Sequence, residues 1–243
     1  MSVLLKIKRS LFPLDPLSVS SKDAASFFRS QEHANAKLFH ALSPAMQVAS
    51  TVFDVGANSG FFTKGLLLRF PKFNGRIVLF EPIPHLIEVA RAVLADRANL
   101  DFENTALGEY DGDIEMYLPS DGNIGWITAV RAKSDAKVPF VARVSDTKRF
   151  IAKYKPEVIK IDVEGYELFV LRPIIPYIND RYRPTFLVEV GWGKSNPNWA
   201  DFMLVVAELS RLGYTFRHTD GQLISVADVQ NLNCTTDLLI EPS

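Results

Sequence analysis

The apolar residues of this chain follow two periods that change places abruptly at Thr51. Before it, Ala24, Phe27, Phe28, Leu38, Phe39 and Leu42 lie near helical spacing, which predicts helix within residues 20–50. After it, short apolar runs alternate with amphipathic stretches. Residues 51–55, 76–80 and 100–107 read as strands, and 61–70 and 84–96 as the helices between them. In the second helix Leu86, Val89, Ala90, Val93 and Leu94 share one face. This βαβαβ order predicts parallel strands joined by right-handed crossovers.

The next stretch changes character. Residues 113–118 and 138–144 alternate like half-exposed strands, with a turn signal at Asp121-Gly122-Asn123. Residues 111–144 are therefore expected to form a β-rich insertion, with a loop around Gly125 and Trp126. Asn123 and Trp126 would then belong to a lid over a cleft. Ser145 is placed to cap a helix running to Tyr154. Residues 156–163 and 185–190 are further buried strands, and a helix begins within 165–171. An amphipathic helix over 198–212 ends at Gly213. Residues 214–217 and 238–241 are expected to close the sheet as an antiparallel pair. The whole is an α/β fold: a mostly parallel sheet with an antiparallel C-terminal strand, a β-rich insertion and an N-terminal helical appendage. Nothing between residues 51 and 243 reads as a linker, so this span is one domain and residues 1–50 the appendage.

Length and charge narrow the classes. A chain of 243 residues can bury one substantial core. Its net charge of −1 gives no global basic field, so nucleic acid is not an expected partner. Cys234 is the single cysteine; it can neither staple a monomer nor make a zinc site alone, and it fits a reducing compartment. No run reaches the roughly 18 to 20 apolar residues of a membrane span. Lys6, Lys8 and Arg9 follow Leu4 and Leu5, whereas a secretory signal places charge before a longer apolar stretch. The expected location is cytoplasmic. The first residues read as an arm packed on the domain or as a short amphipathic surface helix.

The chemistry concentrates at strand ends. Asp54-Val-Gly56-Ala-Asn58-Ser-Gly60 joins a strand to a helix, where an open parallel sheet binds nucleotides. Its glycines allow a tight turn and close approach of a ligand. The dinucleotide fingerprint needs Gly-x-Gly-x-x-Gly, but here the middle glycine is missing. An acid also stands at the entrance and would repel a pyrophosphate. S-adenosylmethionine (SAM) has no phosphate and carries a sulfonium and an ammonium, so Asp54 suits it better than NAD. Glu81, at the end of the second strand, can accept hydrogen bonds from ribose hydroxyls, a contact common to both cofactors.

These pieces resemble the FkbM-type methyltransferases. The resemblance rests on residues 52–60, Phe80-Glu-Pro82, Asn104-Thr-Ala-Leu-Gly108, and above all Ile159-Lys-Ile-Asp-Val-Glu-Gly165 with Glu167. It spans roughly residues 51–192. It implies a Rossmann-like class I methyltransferase fold, SAM as donor, and methylation of a hydroxyl on a sugar or a natural product. It further implies that Asp54, Gly56, Asn58 and Gly60 hold the methionine part of SAM, and that Glu81 holds the ribose. Asn104, Thr105 and Ala106 would border the adenine, and Asp162 would stand at the mouth of the active site.

A hydroxyl acceptor needs its proton withdrawn, by a base or with the help of a metal ion. Asp162 and Glu164 follow the fourth parallel strand, and Glu189 ends the next. Together they can bind Mg²⁺, or one of them can serve as the base. Glu167 reads as a helix-start residue, and Lys160 as a partner for a buried acid. Gly191-Trp192-Gly193 can line the acceptor side. The expected acceptor is a small molecule or glycan. Three other readings stand beside it: a polyketide, lipid or amine acceptor; a SAM-binding module without catalysis; and an NAD-dependent dehydrogenase.

Overall fold

In the computed structural model the described residues are 36–117, 127–131 and 139–243. The expected helix before residue 36 and the loop around Asn123, Gly125 and Trp126 lie outside them. Among the described residues, eight strands form the main sheet. They are β1 (Thr51–Val55), β2 (Arg76–Phe80), β3 (Leu100–Glu103), β7 (Val158–Ile161), β8 (Thr185–Val190), β9 (Tyr214–His218), β10 (Leu223–Ile224) and β11 (Thr236–Pro242). Their order is β10-β9-β11-β8-β7-β1-β2-β3. The run from β3 to β8 is parallel throughout. The expected closing pair forms, but β11 enters between β8 and β9 and runs antiparallel to both.

Strand alternation divides the core in two. Phe53, Val78, Ile159 and Phe186 face one side, where α5 (Glu167–Leu171) and α6 (Trp199–Arg211) cover them. Val52, Ile77, Leu79 and Val158 face the other, under α1 (Ala36–Met46), α2 (Phe61–Arg69) and α3 (Pro84–Val93). On α1, Phe39 and Leu42 are fully buried in this second cluster. Among the described residues no helix is long and apolar enough to cross a membrane.

Two expectations need correction. The strand expected over 100–107 breaks at Asn104-Thr105. Its first half is β3; its second, β4 (Ala106–Gly108), joins a separate sheet with β5 (Gly112–Tyr117) and β6 (Pro139–Asp146), ordered β4-β6-β5. The cause is polar. Thr105 Oγ1 donates to the Arg143 carbonyl at 3.2 Å and lies 2.9 Å from Ser145 Oγ, which draws the chain onto β6. Asn104 Nδ2 donates to the Glu81 carbonyl at 2.8 Å beyond the end of β2. Ser145 is thereby engaged in this junction, and the cap of α4 (Thr147–Tyr154) is Asp146, whose carboxylate accepts from Lys148 N.

Helix α1 lies close to α2. A methyl group at Gly65 would stand 2.7 Å from the Phe39 ring. Gly65→Ala is therefore expected to destabilise the protein by about 1–3 kcal/mol through overpacking. A lower denaturant midpoint with an unchanged slope checks this; an unchanged midpoint would show that the α1–α2 contact yields without cost.

Candidate active site

The parallel strands β3-β2-β1 and β7-β8 run out in sequence to opposite sides of β1. The cleft lies beyond their C-terminal ends at this reversal, where open α/β sheets bind ligands. It encloses about 710 Å³, counting the part open to solvent. Gly56, Asn58, Glu81, Asp162 and Glu164 line it. Ile114, Met116, Ile127 and Ala129, from the second sheet and the segment beside it, form an apolar wall.

The glycine loop is built by close approach. Gly56 has φ +74°, and a Cβ there would fall 1.8 Å from the Asp162 carbonyl oxygen. Any side chain would force β1 and β7 apart. Asn58 is also left-handed (φ 50°), and its Oδ1 accepts from Ser59 N at 2.7 Å. Glu81 clamps the loop from β2. Its carboxylate accepts from Asn58 N and from Ile83 N, each at 2.9 Å. Burial raises the Glu81 pKa to about 7 despite these two amides. Neither oxygen has its acceptor capacity exhausted by one bond, and the side chain borders the cleft.

Behind the loop sits a buried cation. Lys160, 6 % exposed on β7, donates to the Gly56 carbonyl at 2.8 Å. Its Nζ also lies 3.1 Å from Asp54 Oδ1 and 3.4 Å from Asp162 Oδ2. Burial opposes its charge, but Asp54 and Asp162 hold its pKa above the ordinary lysine value. Asp54 is fully buried, and its second oxygen accepts from Thr63 Oγ1 at 2.7 Å. The aspartate at the loop entrance thus faces α2 and Lys160, and does not line the cleft.

The acidic side of the cleft is held by strained backbone. Glu164 adopts φ 51°, followed by Gly165 at φ 94°. A left-handed non-glycine residue costs of order 1–3 kcal/mol and persists only where its surroundings fix it. Here Thr128 Oγ1 donates to the Glu164 carbonyl, and Asn196 Nδ2 donates to the Gly165 carbonyl. The Trp192 ring lies where a Gly165 side chain would be. Asp162, Glu164 and Glu189 each present a carboxylate oxygen within 4.8 Å of the others. Burial, then Asp162 and Glu167, raises Glu164 to about 8. Burial, then Asp162, Glu164 and Asp237, raises Glu189 to about 9.

Of the residues singled out from sequence, Gly56, Asn58, Glu81, Ala106, Asp162 and Glu164 line the cleft, and Glu189 joins the acidic group. Asp54, Gly60, Asn104 and Thr105 do not line it. Gly60 (φ +79°) lets α2 begin against Ala90 and Leu94. Glu167 is buried and accepts from Gly165 N at 2.8 Å, as a helix-start residue does. Missed were Ile83, which precedes the second helix, Leu86, which read only as a helix face, and Ile114 and Met116, which read only as strand alternation. Tyr166 and Asp237 carried no signal.

The strand order, the glycine loop at the reversal point and the carboxylate ending β2 define a Rossmann-like methyltransferase fold. A family model described as the methyltransferase FkbM domain matches residues 54–216, and the chain belongs to that family. Methyltransferase FkbM from Methylobacillus flagellatus KT is a structural neighbour with TM-score 0.51 and 18 % identity, over 79 % of this chain and 43 % of that one. This chain thus spans less than half of that protein's length. An O-methyltransferase family protein from Burkholderia thailandensis aligns with TM-score 0.46 and 12 % identity, over 97 % and 63 % of the two chains. No curated protein matches the sequence.

The raised carboxyls fix the sign of a pH dependence. Glu81, Glu164, Glu167 and Glu189 have folded pKa values above their unfolded ones, so the folded chain binds more protons. Stability is then greatest below the unfolded values and is lost as pH rises through about 7 to 9. The thermal midpoint of the ligand-free protein is expected to fall across this window, and Glu189→Gln should flatten the fall. A midpoint that rises over the same window would contradict the burial of these groups.

Proposed function

We propose that this chain transfers a methyl group from SAM to a hydroxyl of a saccharide or glycosylated metabolite. The observation that carries the reading is the meeting, in one cleft, of the glycine loop with Glu81 and the acidic group of Asp162, Glu164 and Glu189. Membership of the FkbM family supports methyl transfer. The donor groups fit SAM: open backbone at Gly56, a carboxylate at Glu81 with acceptor capacity left for ribose hydroxyls, and the apolar wall of Ile114 and Met116 for a flat ring. SAM would supply an already activated methyl group on its sulfonium.

The remaining work belongs to the chain. The walls orient the acceptor, which matters because alignment carries much of the rate in a displacement. Asp162 takes the hydroxyl proton, and Lys160 beside it holds that carboxylate in place. A second reading keeps the same residues. Three carboxylate oxygens within 4.8 Å suit Mg²⁺, which prefers oxygen ligands, and Asp162, Glu164 and Glu189 would hold it to polarise the acceptor.

Calorimetry is expected to show SAM and its demethylated product binding 1:1, and NAD not binding. Glu81→Ala should weaken the SAM complex by roughly 1.5–3 kcal/mol, the range for hydrogen bonds to a charged group. Binding of NAD in place of SAM would refute the donor assignment, and an unchanged affinity would remove Glu81 from the site.

Asp162→Asn keeps the shape and removes the base. With labelled SAM and a panel of sugars, glycans and hydroxylated metabolites, turnover should fall by about 10² or more. If EDTA abolishes the wild-type activity and Mg²⁺ restores it, the acids act as metal ligands; if EDTA has no effect, Asp162 acts as a metal-free base. A folded, fully active Asp162→Asn protein would exclude both.

A further inference from the structure

Lys160 does more than neutralise a buried acid. An ammonium has three donors, and here three oxygens surround it: the Asp54 carboxylate, the Gly56 carbonyl and the Asp162 carboxylate. Gly56 lines the cleft on the cofactor side with Asp54 behind it, and Asp162 lines the acceptor side. The same two sides meet a second time, because the Asp162 carbonyl occupies the space a Gly56 side chain would need. A shift of Gly56 would stretch its 2.8 Å bond to Nζ, and a shift of Nζ would lengthen the 3.4 Å contact with Asp162. The Phe62 ring, 5.5 Å from Nζ, covers this group from the α2 side.

We propose that Lys160 is a positioning residue that couples the cofactor loop to the Asp162 carboxylate, so that a ligand on the loop also fixes the acceptor end of the site. The identity of that ligand rests on the methyltransferase reading above; the tether does not. The contacts with Gly56 and Asp162 are what join the two halves of the cleft.

The experiment compares the full chain with Lys160→Met, Asp54→Asn and the double variant Asp54→Asn/Lys160→Met. The double variant removes both buried charges together, so it isolates the tether even where Lys160→Met alone does not fold. Backbone hydrogen exchange is read at residues 56–60 and 162–166, with and without S-adenosylhomocysteine, and affinity is read by calorimetry. In the wild type the ligand should slow exchange in both segments. In the double variant affinity should fall about tenfold or more, within the usual span of coupling between sites, and protection should be confined to 56–60. Asp54→Asn leaves the Gly56 and Asp162 contacts and should keep both segments protected together. A purely structural role predicts that the double variant, once its stability is restored, recovers affinity and protection at 162–166; that result overturns the proposal. Failure of the wild type to bind S-adenosylhomocysteine would count against the methyltransferase reading instead. The tether is then judged without ligand: faster exchange in both segments of the double variant upholds it, and unchanged exchange at 162–166 refutes it.

Discussion

A charged amine buried in the middle of a parallel sheet is the constraint around which this site is arranged. Taking one ion out of water costs several kcal/mol even after relaxation, so the sheet can hold Lys160 only with oxygens on every side. Register supplies them. Asp54 pairs with Lys160 across β1 and β7, so both side chains leave the same face. The turn after β1 then brings the Gly56 carbonyl to within 2.8 Å. The glycine is required twice: its positive φ aims that carbonyl, and its missing side chain admits the backbone of Asp162.

The second constraint is the left-handed turn at Glu164 and Gly165. It returns the chain sharply after β7 and keeps Asp162 and Glu164 beside Glu189 of the neighbouring strand. Such a turn would relax if left alone. It is held by groups from distant parts of the sequence: Thr128 from the segment beside the second sheet, Asn196, and the Trp192 ring. Part of what fixes the acidic group is therefore the same segment that walls the cleft.

Burial and the charge of Asp162 push Glu164 and Glu189 up, and Asp162 itself lies within reach of the Lys160 ammonium. Shifted carboxyls gathered at one cleft are a usual basis for acid–base chemistry.

The sequence by itself determined the order of strands and helices in the parallel half, the glycine turn, Glu81 at the end of β2 and the acids after β7. These are local: apolar period, turn chemistry and position along a strand decide them without reference to distant residues. It also marked Lys160 as a partner for a buried acid. Only the tertiary structure decided that Asp54 turns inward to Thr63 and Lys160, because a carboxylate at a strand end can face either way until the sheet register is set. Only it broke the third strand at Asn104-Thr105, because the bonds that break it reach Arg143 and Ser145, some 40 residues further on. The apolar wall of Ile114 and Met116 was hidden for the same reason. Alternation in a strand says that one face is covered, and the chain's path through space decides what covers it.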